Sequence, residues 1–218
     1  MYEENQGPIE SLVHLYVDGA FSRRELVRRV AKHTGSVAAA MVALKGYDVF
    51  GQAATACPAD VRVPENAPDL VVRKVEYTGT GSPLFGQLAY PRNAGDALLP
   101  GVIVIHENQG LVEHIKDVGR RVARAGFVSL APDLLSRQGG ADQYTDAQQR
   151  TAAYGRTTPS ERQADLISSL AFLKAQPNVV FDRIGAVGFC AGGGNVWNLA
   201  SVAEELRAAR LLAPLLDH

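Results

Sequence analysis

The sequence has little of what marks a metal centre, a disulfide framework or a membrane span. Its two cysteines, Cys57 and Cys190, lie far apart and belong to no CxxC pattern, and its five histidines are scattered without an HExxH. This spacing favours neither a zinc site nor a disulfide-stapled fold, so we expect no metal and no other cofactor. No apolar run approaches the roughly 20 residues that a membrane-spanning helix needs.

Charge of one sign is not in excess either. The chain carries 22 Lys and Arg against 23 Asp and Glu, a formal net charge of −1. Because positive and negative charges nearly cancel, the chain has no general attraction to nucleic acid or to an anionic membrane. We expect a small-molecule partner instead. With 218 residues, 46% of them hydrophobic, the chain is long enough to bury a substantial core.

Residues 1–60 differ from the rest and form the first of two predicted domains, an N-terminal helical extension. Ser22 and Glu25 make a capping box, and apolar residues follow at near-helical spacing as far as Gly46. This pattern predicts one amphipathic helix docked in a cytoplasmic protein. The alternative is a twin-arginine export signal, with Arg23-Arg24, the apolar stretch "SVAAAMVAL" and a cleavage site at Ala54-Thr55-Ala56.

Residues 61–218 form the second predicted domain, an α/β domain. A proline-rich linker at about residues 57–70 leads into "VVRKVEYT" and "FGQLAYP", which read as a hairpin. From residue 100 short apolar runs alternate with amphipathic helices, one of them capped by Thr158, Pro159 and Glu161. This alternation predicts a mostly parallel sheet with helices on both faces.

The stretch "RIGAVGFCAGGG" places Cys190 between Gly188 and Gly192, where a predicted strand meets a helix. A G-x-C-x-G pattern at such a junction is a nucleophile elbow with sulfur in place of oxygen. The helix N-terminus favours a thiolate, because its dipole is positive there. A buried structural thiol is the alternative, but the complete pattern favours a nucleophile.

A second candidate group follows the predicted strand "GVIVIH". Strand ends of a parallel sheet face one crevice, so Glu107 and the elbow are expected to meet there, with the Glu107 carboxylate in hydrogen-bond reach of the thiol or one water away from it. Glu107 would then act on the thiol as an acceptor or base. The alternative is a helix cap or a solvated loop acid. His106 is expected to pack or bond main chain, because hydrolase order places the catalytic histidine after the nucleophile.

Three motifs in this order, "VIVIHENQGL", "GFVSLAPDLLSRQGG" and "RIGAVGFCAGGG", resemble the dienelactone hydrolase family, also called carboxymethylenebutenolidases. The resemblance covers roughly residues 75–207, and similar chains carry an N-terminal helical extension. It implies an α/β-hydrolase fold and a Cys–His–Asp triad that hydrolyses lactones or esters through an acyl-enzyme.

The resemblance also assigns expected roles to individual residues. Glu107 matches the glutamate that holds the resting thiol, and the backbone N–H groups of Asn108 and Ala191 match the oxyanion hole. Arg150 and Tyr154 match an arginine and a tyrosine that bind the substrate carboxylate. For Arg150 the alternative is an ordinary exposed helical arginine.

The family pattern predicts three further strand–helix units after the elbow, about 75 residues at average element lengths, with the triad Asp and His on them. Only residues 191–218 follow Cys190, and "RAARLLAPLLDH" reads as helix-like or disordered. We therefore expect a partial hydrolase domain truncated after the elbow helix, with the strand Arg183–Phe189 as an open sheet edge that favours self-association.

Two functional hypotheses follow. The first is a cysteine hydrolase of carboxylate-bearing lactones or esters, with its activity impaired by the absence of the triad Asp and His. The second is a non-catalytic binding or interaction protein that keeps the hydrolase pocket.

Overall fold

A computed structural model describes residues 9, 12, 13, 23–45, 61–95 and 97–212. Contacts divide the chain into two units, residues 1–55 and 56–218. Cys57, the proposed cleavage site and the residues after Leu212 lie outside the described residues. Of the helices in the described ranges, none combines the length and the apolar character that a bilayer span requires.

Within residues 23–45 of the first unit the structure has two helices where the sequence predicted one. Helix α1 (Arg23–Thr34) and helix α2 (Val37–Lys45) are separated by Gly35 and Ser36. Gly35 adopts a φ of 80°, which ends α1, and the hydroxyl of Ser36 accepts the Ala39 N–H and so begins α2. The helices bury a shared apolar cluster of Leu26, Val30, Ala40 and Leu44.

The second unit is built on a six-stranded sheet in the order β1-β2-β4-β3-β5-β6. Its strands are β1 (Leu70–Thr78), β2 (Pro83–Pro91), β3 (Leu99–Ile105), β4 (Val128–Asp133), β5 (Val179–Phe189) and β6 (Leu206–Leu212). The predicted hairpin β1/β2 is antiparallel, and β2 pairs antiparallel with β4. The four neighbouring strands β4, β3, β5 and β6 run parallel to one another.

Helices cover both faces of this sheet. They are α3 (Glu113–Arg124), α4 (Ala147–Gly155), α5 (Pro159–Lys174) and α6 (Ala191–Ala200). Successive β3 residues point to opposite faces: Ile103 and Ile105 join the core under α5 and α6, and Val104 joins the core under α3. The predicted capping box of Thr158 and Glu161, with Pro159 as the first helical residue, begins α5.

The prediction that the sheet ends on the Arg183–Phe189 strand was wrong. Residues 206–212 form β6, which pairs parallel with β5 from Ile184↔Leu206 to Phe189↔Leu212. Hydrogen bonding to an apolar neighbouring strand outweighs the helix-forming tendency of "LRAARLL". Strand β6 therefore follows the elbow helix and lies at the end of the described sheet.

The segment before β1 is irregular, as the predicted linker requires, but it is bound to the sheet domain. The Val63 N–H donates to the Asp117 carboxylate at 2.8 Å, and the Val63 carbonyl accepts from Arg120 at 2.5 Å. Arg120 is fully buried and also donates to Gln87 and Glu113. Two buried charged groups of α3 thus hold the main chain of this segment.

Candidate functional site

Cys190 lies on a sharp turn between β5 and α6, half-buried, at φ 51° and ψ −116°. It has the only positive φ among the non-glycine residues that the structure describes. Such a conformation costs about 1–3 kcal/mol and persists because its surroundings impose it. Two main-chain bonds do so here: the Cys190 N–H donates to Leu212 and the Cys190 carbonyl accepts from Gly193.

The close packing around Cys190 leaves room only for glycine at positions 188 and 192. A Cβ on Gly188 would come within 2.2 Å of the Gly192 carbonyl oxygen. A Cβ on Gly192 would come within 2.5 Å of the Ile105 carbonyl oxygen and 2.6 Å of the His106 carbonyl oxygen. The elbow is therefore pressed against the end of β3 with no room for a side chain at either position.

This contact brings the two predicted site segments to one edge of the sheet. Ile105 pairs with Gly188 in the parallel register of β3 and β5, so the chain leaves both strands side by side. Glu107 and Asn108 lie half-buried in the turn after β3, and Ala191 begins α6, where its N–H has no helical acceptor. That the Glu107 carboxylate reaches the sulfur stays a prediction.

His106 is engaged through both ring nitrogens, as the prediction of a packed histidine requires. Its Nδ1 contacts the Glu107 carbonyl oxygen, which can only accept, so Nδ1 carries the proton. Its Nε2 accepts the Leu134 N–H at 2.9 Å. Complete burial lowers the pKa of His106, and the neighbouring Asp133 carboxylate opposes this only in part. The ring is therefore a neutral, fully bonded link between β3 and the chain after β4.

Asp133, which sequence reasoning missed, holds several loop segments together at the end of β4. Its buried carboxylate accepts N–H groups from Leu111 at 3.4 Å, Leu135 at 3.0 Å and Ala141 at 2.6 Å. One side chain at the end of β4 thus ties three loop segments together. A carboxylate directly after an apolar strand was the signal that could have identified it.

Tyr154 lies close to the elbow, in contact with three other elements. The Asn195 amide on α6 donates to its hydroxyl at 2.9 Å, and the Arg162 guanidinium of α5 lies 4.5 Å above its ring. The His106 ring meets it nearly edge-on at 6.2 Å. Burial raises the pKa of Tyr154, Asn195 and Arg162 oppose the increase, and the nearby Cys190 raises it further.

Arg150 lies one helical turn before Tyr154, on the same side of α4. Its Nη1 donates to the Tyr144 carbonyl at 3.0 Å, which holds the loop before the helix. Its Nε is buried and has no hydrogen-bond partner among the described residues. Arg150 is half-buried, so it is not the exposed surface arginine of the alternative interpretation.

A separate cavity of about 430 Å³ opens between the β1/β2 hairpin and α3. Lys74, Lys116 and Asp142 line its rim, with the Lys116–Asp142 ion pair at 3.0 Å, and Phe85 and Leu111 form apolar walls. Cys190 does not line this cavity. Within the described ranges, no group of three or more His, Cys, Asp and Glu side chains is arranged to hold a metal ion.

Comparison with known proteins relates the chain to one enzyme family. The family model described as the dienelactone hydrolase family matches residues 85–212. A protein of Methylorubrum extorquens named "Putative carboxymethylenebutenolidase" is 31% identical over 160 residues, 73% of this chain and 54% of the relative. A protein of the same name from Synechocystis is 37% identical over 61% of this chain and 55% of its own length. The chain thus spans about half the length of these curated relatives.

Solved structures give the same result. The crystal structure of a dienelactone hydrolase-like promiscuous phosphotriesterase from metagenomic libraries superposes with a TM-score of 0.58 at 30% identity. It covers 69% of this chain, and the chain covers 62% of it. The elbow and the parallel strands around it therefore have the arrangement of an α/β hydrolase.

Proposed function

Because the chain belongs to the dienelactone hydrolase family, we propose that it cleaves a lactone or ester through an acyl-enzyme on Cys190. The observation that carries this proposal is the strained backbone of Cys190 at the N-terminus of α6. A strained nucleophile presented on a tight strand-to-helix turn is the arrangement by which α/β hydrolases expose their reacting atom.

In the proposed reaction the Cys190 sulfur attacks the ester carbonyl carbon. The carbonyl oxygen gains negative charge in the tetrahedral intermediate and is held by the backbone N–H groups of Asn108 and Ala191. The intermediate then expels the alcohol oxygen, which takes up a proton, and leaves a thioester on Cys190. Water hydrolyses that thioester, which releases the carboxylic acid and regenerates the thiol.

Glu107 is the carboxylate that we assign to the thiol proton. It follows β3 directly beside the elbow, and a carboxylate there would accept the S–H in the resting state and pass the proton on. His106 is not a suitable base, because its Nδ1 proton and its Nε2 lone pair are both used by main-chain groups. The α6 dipole lowers the requirement for a base by favouring the thiolate.

Arg150 is the residue that we assign to a substrate carboxylate. Its buried Nε–H has no protein partner among the described residues, and an unsatisfied buried donor of this kind is costly unless a ligand accepts from it. Tyr154, on the same side of α4 and beside Cys190, is proposed to contact the same substrate. This pairing favours an acid-bearing lactone or ester over a neutral one.

The test uses purified protein with p-nitrophenyl acetate and with a dienelactone, followed by intact-mass spectrometry and peptide mapping. We expect release of p-nitrophenol together with an acetyl adduct on the Cys190 peptide, and Cys190→Ala should remove both. Arg150→Met should weaken turnover of the dienelactone about tenfold or more while changing p-nitrophenyl acetate little, since only the first carries a carboxylate. Ester cleavage that survives in Cys190→Ala would show that the thiol is not the nucleophile.

A binding protein that retains the pocket is the second candidate, and the engagement of both His106 nitrogens favours it, since it removes one available base. Under this alternative, the dienelactone binds in calorimetry, Arg150→Met weakens the binding, and no adduct forms on Cys190. Formation of the adduct would exclude it.

A further inference from the structure

The ring of Tyr154 is fixed by residues that have no role in the reaction proposed above. Arg162 covers its face, and its Nη1 is itself held by the carbonyl and the hydroxyl of Thr157 at 2.6 Å and 2.7 Å. The Thr157 hydroxyl in turn donates to the Tyr154 carbonyl at 2.7 Å. With His106 nearly edge-on, the ring has little freedom to turn.

The hydrogen bonds around Asn195 determine which way the Tyr154 proton points. The Arg162 Nε can only donate, so the atom of Asn195 that it meets at 3.3 Å is the amide oxygen. The amide nitrogen of Asn195 therefore faces Tyr154 and donates to the phenol oxygen at 2.9 Å. The Tyr154 hydroxyl accepts on that side, so its own proton must be directed elsewhere.

The Asn195 amide is the hydrogen-bond partner that the structure gives the Tyr154 hydroxyl, and the hydroxyl keeps its proton at neutral pH because burial raises the pKa of Tyr154. Asn195 belongs to the helix that Cys190 begins, and it is 4% exposed, so its amide is firmly placed. A protonated phenol that accepts from α6 keeps its own O–H for another acceptor, and Cys190 is near enough to raise the pKa of Tyr154.

We propose that Asn195 and Arg162 are positioning residues: Asn195, oriented by Arg162, fixes the Tyr154 oxygen as an acceptor so that the Tyr154 O–H donates toward the Cys190 sulfur and the oxygen of a bound substrate. Neither residue touches the reacting atoms. The hydrogen bond from Tyr154 to the substrate oxygen rests on the proposed hydrolysis. The hydrogen bond from Tyr154 to the Cys190 sulfur does not, and it can be tested without turnover.

The experiment measures the second-order rate of Cys190 alkylation by iodoacetamide at pH 7 in a mutant cycle. Asn195→Asp is nearly isosteric and keeps the Arg162 contact, but its carboxylate captures the Tyr154 O–H and turns it away from the sulfur. We expect Asn195→Asp and Tyr154→Phe each to slow alkylation about tenfold, because each removes a hydrogen bond to a charged sulfur. The double variant should be no slower than Tyr154→Phe alone, because Asn195 acts through Tyr154.

Asn198→Asp is the matched control. It adds the same charge to the same helix, at a residue whose hydrogen bonds run through its main-chain carbonyl. Circular dichroism and a thermal midpoint for every variant show that the fold is retained, and Arg162→Lys, which keeps the charge but loses the planar cover of the ring, should give an intermediate rate.

An Asn195→Asp effect that is equal with and without the Tyr154 hydroxyl, or no larger than that of Asn198→Asp, would overturn the proposal. Absence of ester hydrolysis in the wild type and in all variants would count against the proposed function only. The alkylation rates would still show whether Asn195 acts on Cys190 through Tyr154.

Discussion

Cys190 shows how far residue types alone specify a site. The motif G-x-C-x-G predicted a junction of strand and helix at Cys190, and the structure has that junction, with φ 51° and a close approach that excludes a side chain at Gly188 and Gly192. Asn195 could not be found in the same way, because no motif includes it. Its only signal was a polar residue on the buried side of a helix, beside Val196 and Leu199.

His106 gives a prediction about acid stability. It is neutral when folded, and burial holds its pKa below the ordinary value of 6.5, so the unfolded chain binds one more proton as pH falls below about 6.5. The free energy of unfolding should therefore decrease as pH falls, by up to about 1.4 kcal/mol per pH unit from this group. Folding lowers the pKa of a base here, so stability is present above the unfolded pKa and is lost below it.

Urea unfolding at pH 7.5, 6.5 and 5.5 measures this effect in the range where most carboxylates are still ionised. His106→Gln should be less stable at pH 7.5 but should lose the decrease below pH 6.5, because glutamine binds no proton. A His106→Gln variant with the same pH dependence as the wild type would assign the decrease to other groups.

At the scale of elements, the structure follows local signals where these are strong and departs from them where pairing decides. The capping box at Thr158 and the apolar run of β3 correctly predicted α5 and a buried strand. Strand β6 was missed, because "LRAARLL" contains good helix formers and its conformation depends on hydrogen bonds to β5. The division of the N-terminal helix was also missed, since Gly35 was read as part of a helix.

The junction of β3 with the elbow helix gives a prediction that two glycines of α6 can test. Gly192→Ala should destabilise the protein by about 2–3 kcal/mol and slow Cys190 alkylation, because the new Cβ would meet two main-chain carbonyl oxygens that cannot move away. Gly194→Ala is the matched control: it lies in the same helix with nothing within 4 Å of its Cβ position. Gly194→Ala should stabilise the protein by up to about 1 kcal/mol through helix propensity. Equal effects in urea unfolding would mean that the close approach to β3 does not hold the elbow.

At the scale of the whole molecule, the sheet has two ends that differ. Strand β1 carries charged side chains along its exposed positions, including Arg73, Lys74 and Glu76. At the other end, β6 pairs only on its β5 side among the described residues, and Leu211 on it is 51% exposed. Charged side chains on an edge strand resist pairing with other chains, and β6 also carries two, Arg207 and Arg210. Its unpaired N–H and C=O groups still favour pairing with a strand that places no arginine opposite another arginine.

We therefore propose that the predicted self-association takes place through β6 and not through the strand Arg183–Phe189. The strand that pairs with β6 is the β6 of a second copy. An antiparallel pair with its two-fold axis at Ala209 would place Arg207 opposite Leu211 and Arg210 opposite Ala208, so no arginine would face another arginine. In sedimentation velocity the average mass should rise with protein concentration, and Leu211→Lys should shift this rise to higher concentration, because the lysine would face Arg207 of the second copy. Phe181→Lys is the control, since Phe181 is 66% exposed on β5 and not on β6. A wild-type protein that stays monomeric at every concentration, or an equal effect of both lysines, would contradict pairing through β6.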